Sequence, residues 1–306
     1  MFPKIGLVFN GGGAKGAYQI GVWKAMRETG IDRYVTAVSG ASVGGLNACL
    51  FVQGDYEKAE YIWTNKSDNI KLIGMSKTVR EMIENYIDFS VFSYSKIDCF
   101  IAAVRSSNSH SSFSSCTSSY DNRIEKIEDG QMTYFNLRSI SIQERKDFVL
   151  DWALSTKVLL ATSAIPILCK PQTIDGEIYY DGGLRDNCPV YPLNWNSALC
   201  DTIIAIHLKH TKDRIDKSQY PEVKIHEIVP NVSSDELGLL KGTLHFNTEH
   251  AKKLLQAGYN DSIDVFRKMD ILYNMEDNSQ KRKKRLQQID KEDSEYLHKM
   301  EKLILG

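Results

Sequence analysis

Apolar and polar residues follow two alternating periods along the first part of the chain. An apolar run over residues 4–10 ends in glycines and is followed by apolar positions at helical spacing over residues 14–27. The unit repeats at once, because a strand-like run over residues 34–39 precedes a second small-residue turn and an apolar segment over residues 46–53 that is typical of a buried helix. Two strand–turn–helix units in succession predict an α/β fold with a parallel sheet.

The rest of the chain continues this alternation. Residues 55–97 have a helical pattern of mixed polarity, which predicts a helical layer over the sheet. Nine serines in residues 106–119 predict a surface loop. Strand-like runs extend to residue 229 without a linker, so we expect one domain over residues 4–270 and a charged helical tail over 271–306. Further strands are predicted at 99–104, 132–137, 177–181, 202–208 and 224–229, and further helices at 148–162 and 248–269.

Composition and charge exclude several classes of protein. The 306 residues include 38 Lys and Arg against 39 Asp and Glu, and 42% are hydrophobic, which excludes a disordered tail and a basic nucleic-acid-binding module. No apolar run reaches the roughly 20 residues that span a bilayer, and no signal-peptide core follows Met1, so we expect a cytoplasmic protein. The six scattered cysteines form no CxxC pair, which predicts reduced thiols.

The first glycine turn, residues 11–16 (GGGAKG), has two interpretations. It fits the GxGxxG pattern between a strand and a helix, which is typical of a dinucleotide site and would make the protein an oxidoreductase. That site needs an acidic residue at the tip of the second strand, where this chain has Ser39 and Gly40. Alternatively, the N–H groups of the turn form an oxyanion hole, which stabilises negative charge that develops in a reaction.

The second turn favours the oxyanion hole. Residues 40–44 (GASVG) form a GxSxG motif between a strand and a helix, which is the context of a nucleophile elbow. There the glycines permit a sharp turn, and Ser42 projects its hydroxyl at the positive end of the following helix. The bland alternative is a Gly-Ser turn that only packs a helix on a strand.

A serine hydroxyl needs a base, and the sequence offers two arrangements. Ser42, Asp181 and His207 occur in the order of an α/β-hydrolase triad, although His207 also fits a histidine buried within an apolar strand. Asp181 ends a strand and precedes Gly182 and Gly183, which suits either a catalytic loop or a simple Asp-Gly β-turn.

The three motifs together, GGGAKG, GASVG and DGG, resemble the patatin-like phospholipase family in order and spacing. Residues 160–166 (LATSAIP), 187–193 (NCPVYPL) and 258–259 (GY) support the resemblance, which covers residues 4–262. It implies a three-layer α/β sandwich with a largely parallel central sheet flanked by helices.

The resemblance also implies a role for each motif residue. Ser42 is the expected nucleophile and Asp181 its general base, in a dyad without histidine. The expected oxyanion hole consists of Gly11, Gly12 and Gly13. Lys15 stands where the family often has arginine, and Asn10 and Thr162 are milder departures. The residues expected to support the motifs are Lys15, Gly16, Gly40, Gly44, Gly182 and Gly183.

The implied activity is hydrolysis of fatty-acyl esters of lipids through an acyl-enzyme, with no metal or cofactor. The helical residues 55–97 are expected to wall an acyl groove, although their Met and aromatic side chains also fit a plain core. A catalytically silent binding module on the same fold remains an alternative. The basic block 281–285 fits either a solvated helix face or peripheral contact with a membrane surface.

Overall fold

The centre of the fold is a mixed β-sheet. The computed structural model describes residues 4–69, 74–106, 126–129, 131–147, 152–195, 200–209, 215–231 and 246–272. Within these ranges the sheet has nine strands. They are β1 (Ile5–Phe9), β2 (Val35–Ala41), β3 (Asp98–Arg105), β4 (Lys126–Asp129), β5 (Met132–Asn136), β6 (Gln172–Ile174), β7 (Glu177–Asp181), β8 (Thr202–Ile206) and β9 (Lys224–Ile228).

The parallel part of the sheet runs in the order β3-β2-β1-β8-β9. Every residue of β1 and β8 is buried, as expected for parallel strands that are covered on both faces. On its other edge β3 pairs antiparallel with β5, and on the edge shared with β2 it pairs antiparallel with β7, which continues where β2 ends. The strand β4 pairs antiparallel with β5, and β6 pairs antiparallel with β7. The fold is therefore α/β, as predicted, with the antiparallel strands joined to the parallel part through β3.

Eight α-helices in the described residues accompany the strands. Most agree with the predicted segments, whereas the sequence pattern missed α6 and the short strands β4 and β6. The serine-rich stretch beyond Ser106 and the tail from residue 273 lie outside the described residues. The helices are α1 (Ala17–Thr29), α2 (Val43–Gln53), α3 (Tyr56–Lys66), α4 (Met75–Tyr86), α5 (Phe89–Tyr94), α6 (Leu137–Lys146), α7 (Ala153–Thr162) and α8 (Thr248–Leu272).

The two faces of the sheet are covered differently. One face carries α2 and α7, which pack on β1, β2 and β3. On the other face the apolar side chains of Phe100, Tyr134 and Ile203 pack with Val190 and Leu193, from a segment that includes a short 3₁₀ turn. The sheet is thus covered by α2 and α7 on one face and by the segment that contains Val190 and Leu193 on the other.

The chain divides into two compact units, Met1–Ile263 and Asp264–Gly306. The predicted limits of the domain and the tail stay predictions. The five described cysteines are free, as expected for reduced thiols. Over the described ranges, none of the helices is both long and apolar enough to cross a bilayer.

Candidate active site

A sharp turn between β2 and α2 carries Ser42. Its backbone has φ 54° and ψ −129°, which residues other than glycine rarely adopt. A side chain at Gly40 would collide with the backbone of Gly44 and Gly45, and one at Gly44 would collide with the carbonyl group of Phe9. The small residues around Ser42 are therefore required for this turn, which has the strand–turn–helix context of a nucleophile elbow.

The register of the sheet brings Asp181 to the same end of β3 as Ser42. Ala41, the residue before Ser42, pairs with Ala102 of β3. The next residue of β3, Ala103, pairs with Asp181 at the end of β7. Because β2 and β7 lie on the same edge of β3 and run toward each other, the ends of the two strands meet there, and Ser42 and Asp181 can approach each other.

The Asp181 carboxyl group is buried and hydrogen-bonded. Only 4% of the residue is exposed. Burial raises the pKa of Asp181 to about 6, although hydrogen bonds from the Ser42 hydroxyl and the Gly183 N–H oppose the rise. The Gly183 nitrogen lies 2.8 Å from Asp181 Oδ1, and a side chain at Gly182 would collide with the Ala102 carbonyl. Asp181 is thus a carboxylate at neutral pH whose charged form the Ser42 side chain stabilises.

The first glycine turn passes beside Ser42. The Gly11 N–H donates to the Asn187 carbonyl at 3.1 Å, and Asn187 Nδ2 donates to the Gly11 carbonyl at 3.0 Å. A side chain on Gly11 would lie 3.3 Å from Ser42 Cβ. In the described part of the chain, no group accepts a hydrogen bond from the N–H of Gly12 or of Gly13, whose φ is 57°. These two N–H groups can serve an anion, whereas the Gly11 N–H is already bonded.

His207 lies behind the glycine turn. Its Nδ1 is 3.0 Å from Asn10 Nδ2, and its Nε2 is 3.1 Å from Glu227 Oε2. Asn10 is the residue that leads into Gly11. Both imidazole nitrogens therefore contact groups other than Ser42, an arrangement that favours the dyad over the triad.

Lys15 and Gly16 lie at the far end of the same turn. Lys15 is 3% exposed, and burial together with the charge of Lys209 lowers the pKa of its ammonium group. No carboxylate among the described residues pairs with it. A side chain at Gly16 would collide with the indole of Trp63. Across the described ranges, no group of three or more His, Cys, Asp or Glu side chains is arranged to bind a metal ion.

A buried hydrogen-bond chain connects Trp63 to the glycine turn. Trp63 Nε1 donates to Asn47 Oδ1 at 3.0 Å. Asn47 Nδ2 donates to the Gly16 carbonyl at 2.9 Å and to Gln19 Oε1 at 2.7 Å. Gln19 Nε2 then donates to the Asn10 carbonyl at 2.8 Å. Asn47 and Gln19 have relative exposures of at most 1%, so these bonds stabilise both ends of the turn in a dry environment.

An apolar groove opens beside Ser42 and Gly13. It encloses about 650 Å³ of space, including space that is open to solvent. Part of the helical segment 55–97, expected to wall a groove, lines this one, while other apolar side chains of the segment, such as Ile83 and Phe92, belong to the core. Its apolar lining comprises Val43, Leu46, Leu50, Ile62, Trp63, Met75, Val79, Met82, Ile165 and Phe246.

Comparison with known proteins identifies the family. A family model described as patatin-like phospholipase matches residues 7–194. The chain belongs to the patatin-like phospholipase family. Its GGGAKG, GASVG and DGG motifs all fall within the matched residues.

Relatives of this patatin-like phospholipase chain are much longer proteins. Patatin-like phospholipase domain-containing protein ZK370.4 of Caenorhabditis elegans is 29% identical over 204 residues, which are 64% of this chain and 13% of the relative. Lysophospholipase NTE1 of Candida glabrata is 26% identical over 210 residues, 69% of this chain and 11% of the relative. Among solved structures, human GIVD cytosolic phospholipase A2 matches with a TM-score of 0.47 and 10% identity, over 89% of this chain and 60% of that one. This chain therefore spans a small fraction of its curated relatives.

Sequence reasoning missed three side chains of this patatin-like site. Thr162 Oγ1 accepts the Ser42 N–H at 2.9 Å, so the residue that departs from the family pattern still supports the elbow. Asn187 and Asn47 hold the glycine turn from two sides. Asn187 lies in a segment that supported the resemblance, but no motif rule shows which backbone group an asparagine will contact.

Proposed function

We propose that this chain is a lipid acyl hydrolase in which Ser42 is the nucleophile and Asp181 the general base. The observation that supports it best is a buried carboxyl group, Asp181, whose pKa is raised to about 6 by burial and whose charged form is stabilised by the Ser42 side chain. That pair lies at the edge of an apolar groove. The family and the names of the relatives, which include lysophospholipases, agree with a fatty-acyl ester as substrate.

In the proposed mechanism the carbonyl carbon of the ester lies over Ser42 with its acyl chain in the groove. As Ser42 Oγ attacks, its proton passes to Asp181, which later donates it to the leaving alcohol. The N–H groups of Gly12 and Gly13 stabilise the oxyanion, assisted by the N-terminal end of α2. Water then attacks the acyl-enzyme as Asp181 accepts its proton, and Asp181 returns that proton to Ser42 Oγ when the fatty acid leaves. Gly11 acts through its two bonds to Asn187, which fix the position of the turn.

The test combines active-site labelling with turnover. Wild type should react with a fluorophosphonate probe and release fatty acid from a panel of lipid esters, and Ser42→Ala should do neither. Ser93→Ala is the matched control, because Ser93 lies in α5 and its hydroxyl donates to the Ser90 carbonyl. The proposal is supported if wild type and Ser93→Ala both label and release fatty acid, whereas Ser42→Ala does neither. A folded wild type that neither labels nor releases fatty acid would instead favour a binding module, and NAD binding would favour the oxidoreductase.

A further inference from the structure

A second cleft adjoins the apolar groove beside Ser42, on the side of α4. It encloses about 700 Å³ of space that is open to solvent. Val79 and Ser163 line both cavities, so the cleft and the groove adjoin at these two residues. The other residues that line the cleft are Ser76, Lys77, Arg80, Leu160, Cys169, Lys170 and Gln172.

The lining of this cleft is cationic. Lys77, Arg80 and Lys170 contribute three positive charges, and no carboxylate is among the lining residues. Lys77 also pairs with Glu81 at 3.6 Å and Arg80 with Glu84 at 3.7 Å, but all four side chains are about half exposed or more. Such exposed pairs within one helix are weak, so either cation can turn to a stronger anion.

The backbone around the cleft adds to its positive potential. Ser76 and Lys77 belong to the first turn of α4, which begins at Met75, so the positive end of a twelve-residue helix faces the cleft. The Ser76 hydroxyl accepts the Lys170 N–H at 3.1 Å, which fixes Lys170 at this helix end. Cations and a helix N-terminus on one wall favour a group of concentrated negative charge.

A buried hydroxyl without a partner lies at the boundary between the two cavities. Ser163 is only 8% exposed, and within the described residues its Oγ forms no hydrogen bond. Buried polar groups nearly always have a partner, and an unsatisfied one requires an explanation. Here a ligand that occupies the cleft would supply an acceptor.

We propose that this cleft is a binding subsite for a phosphate group, with Arg80, Lys170 and Lys77 as its cations and Ser163 as a hydrogen-bond donor. The inference rests on the proposed function and specifies its substrate class. A lipid whose acyl chain fills the groove can extend its phosphate past Val79 and Ser163 into the cleft. The subsite therefore selects phosphate-bearing acyl esters over neutral ones.

The test uses two substrates that differ only in the phosphate. A monoacylglycerol phosphate and the monoacylglycerol with the same acyl chain are assayed as monomers, with wild type and with the double variant Arg80→Gln/Lys170→Gln. We expect the variant to lose about tenfold in kcat/KM on the phosphate-bearing substrate, mostly through KM, and to change less than about twofold on the neutral one. The control Arg33→Gln/Lys253→Gln removes the same charges from exposed positions outside the cleft and should change neither.

Two further arms identify the source of the phosphate. Inorganic phosphate should inhibit wild type more than the double variant if the subsite accepts the free ion, whereas equal weak inhibition assigns it to the lipid head group; both agree with the subsite. Ser163→Ala should weaken turnover of the phosphate-bearing substrate alone, and should fold normally because its hydroxyl has no partner to lose.

Other outcomes overturn the subsite. Equal losses on both substrates would do so, and so would an effect of the double variant that is confined to vesicles with anionic lipid, because that assigns the cations to a membrane surface. Failure of the subsite can be distinguished from failure of the proposed function. If wild type still hydrolyses the neutral ester, the proposed function stands; it fails only if no ester is hydrolysed.

Discussion

At the scale of single residues, the proposed chemistry depends on how little water reaches the Asp181 carboxyl group. Asp181 is 4% exposed, and this burial raises its pKa to about 6, closer to neutrality than an ordinary aspartate. A stronger base results, and it is still ionised at pH 7. The motif DGG locates this residue in the sequence, but the shift depends on side chains that pack around it from distant segments, which a motif does not describe.

The first prediction concerns the pH dependence of turnover. Because Asp181 must be deprotonated to accept the Ser42 proton, kcat/KM should rise with pH and level off above an apparent pKa of about 6. A pH–rate profile on an uncharged soluble ester measures this value. An apparent pKa near 4 would mean that the carboxyl group is hydrated in the working enzyme. A histidine base would titrate in the same range, so this profile alone does not separate dyad from triad.

Substitution of His207 distinguishes the dyad from the triad. His207→Gln should retain turnover within about tenfold, since its ring contacts Asn10 and Glu227 rather than Ser42, whereas Asp181→Asn should lose on the order of a thousandfold or more. Steady-state kinetics on both folded variants measures the difference. A thousandfold loss in folded His207→Gln would contradict the dyad.

Asp181→Asn should also change stability in a pH-dependent way. A folded-state pKa of about 6 against the ordinary 3.8 means that ionised Asp181 disfavours the folded state, so wild type loses stability as pH rises through about 6. The difference in pKa corresponds to about 3 kcal/mol at most. The asparagine variant should therefore be more stable than wild type at pH 7.5 and not at pH 4. Urea unfolding at both pH values tests this, and a less stable variant at pH 7.5 would contradict it.

At the scale of elements, the site is formed where strands end. β1, β2 and β7 all finish near the end of β3, and each is followed by a turn of small residues. Hydrophobic period and glycines predicted β1, β2, β7 and the helices after the first two. The strands β4 and β6 have four and three residues, too few for a period to appear, and α6 overlaps a predicted strand end. The pairing of β7 with β3 is a long-range contact that no local pattern encodes.

The elbow should store backbone strain. Glycine tolerates the φ of 54° and ψ of −129° at Ser42 better than alanine does, so Ser42→Gly should be more stable than Ser42→Ala by about 1 kcal/mol, while both are inactive. Thermal or urea unfolding of the pair measures the difference. If Ser42→Gly were the less stable of the two, the turn would be relaxed in solution.

The hydrogen-bond chain from α3 to the glycine turn should matter for turnover as well as for stability. Asn47→Leu leaves the Trp63 N–H, the Gly16 carbonyl and Gln19 without their partner and should lower the free energy of unfolding by about 3 kcal/mol.

Trp63→Phe removes one donor from this chain and should cost about 1–2 kcal/mol and reduce kcat. Trp23→Phe is the matched control, because Trp23 is equally buried but packs on Phe51 and Tyr56. An equal fall in kcat in both variants would show that general packing, rather than the chain of hydrogen bonds, fixes the position of the glycine turn.

At the scale of the whole molecule, two glycines allow α8 to pack directly on α1. A side chain at Gly21 would collide with the carbonyl of Leu255, and one at Gly258 would collide with the carbonyl of Tyr18. Sequence reasoning connected the GY pair at 258 with the family but could not give this reason, because the contact joins segments far apart in the chain. The boundary between the two compact units at residue 263 likewise depends on contacts between distant residues, which the sequence pattern does not show.

Gly258→Ala should therefore lower the free energy of unfolding by more than about 2 kcal/mol, because backbone rather than a flexible side chain opposes the added methyl group. Its kcat on a soluble ester should stay near wild type at low temperature, since the contact lies away from Ser42. Gln256→Ala, an exposed position of the same helix, is the control. A fully stable Gly258→Ala would mean that the two helices can separate without loss.

The position of Asp181 at the end of β7 has a consequence for biosynthesis. Ser42 and the glycine turn leave the ribosome before Asp181, so the proposed base reaches the serine only after β3 has been made and β7 can pair with it. If the proposed dyad is correct, a growing chain that contains Ser42 without Asp181 should therefore be inert toward lipid esters. Domains fold as synthesis proceeds over seconds, so the order of the motifs along the chain should delay the proposed activity until most of the sheet exists.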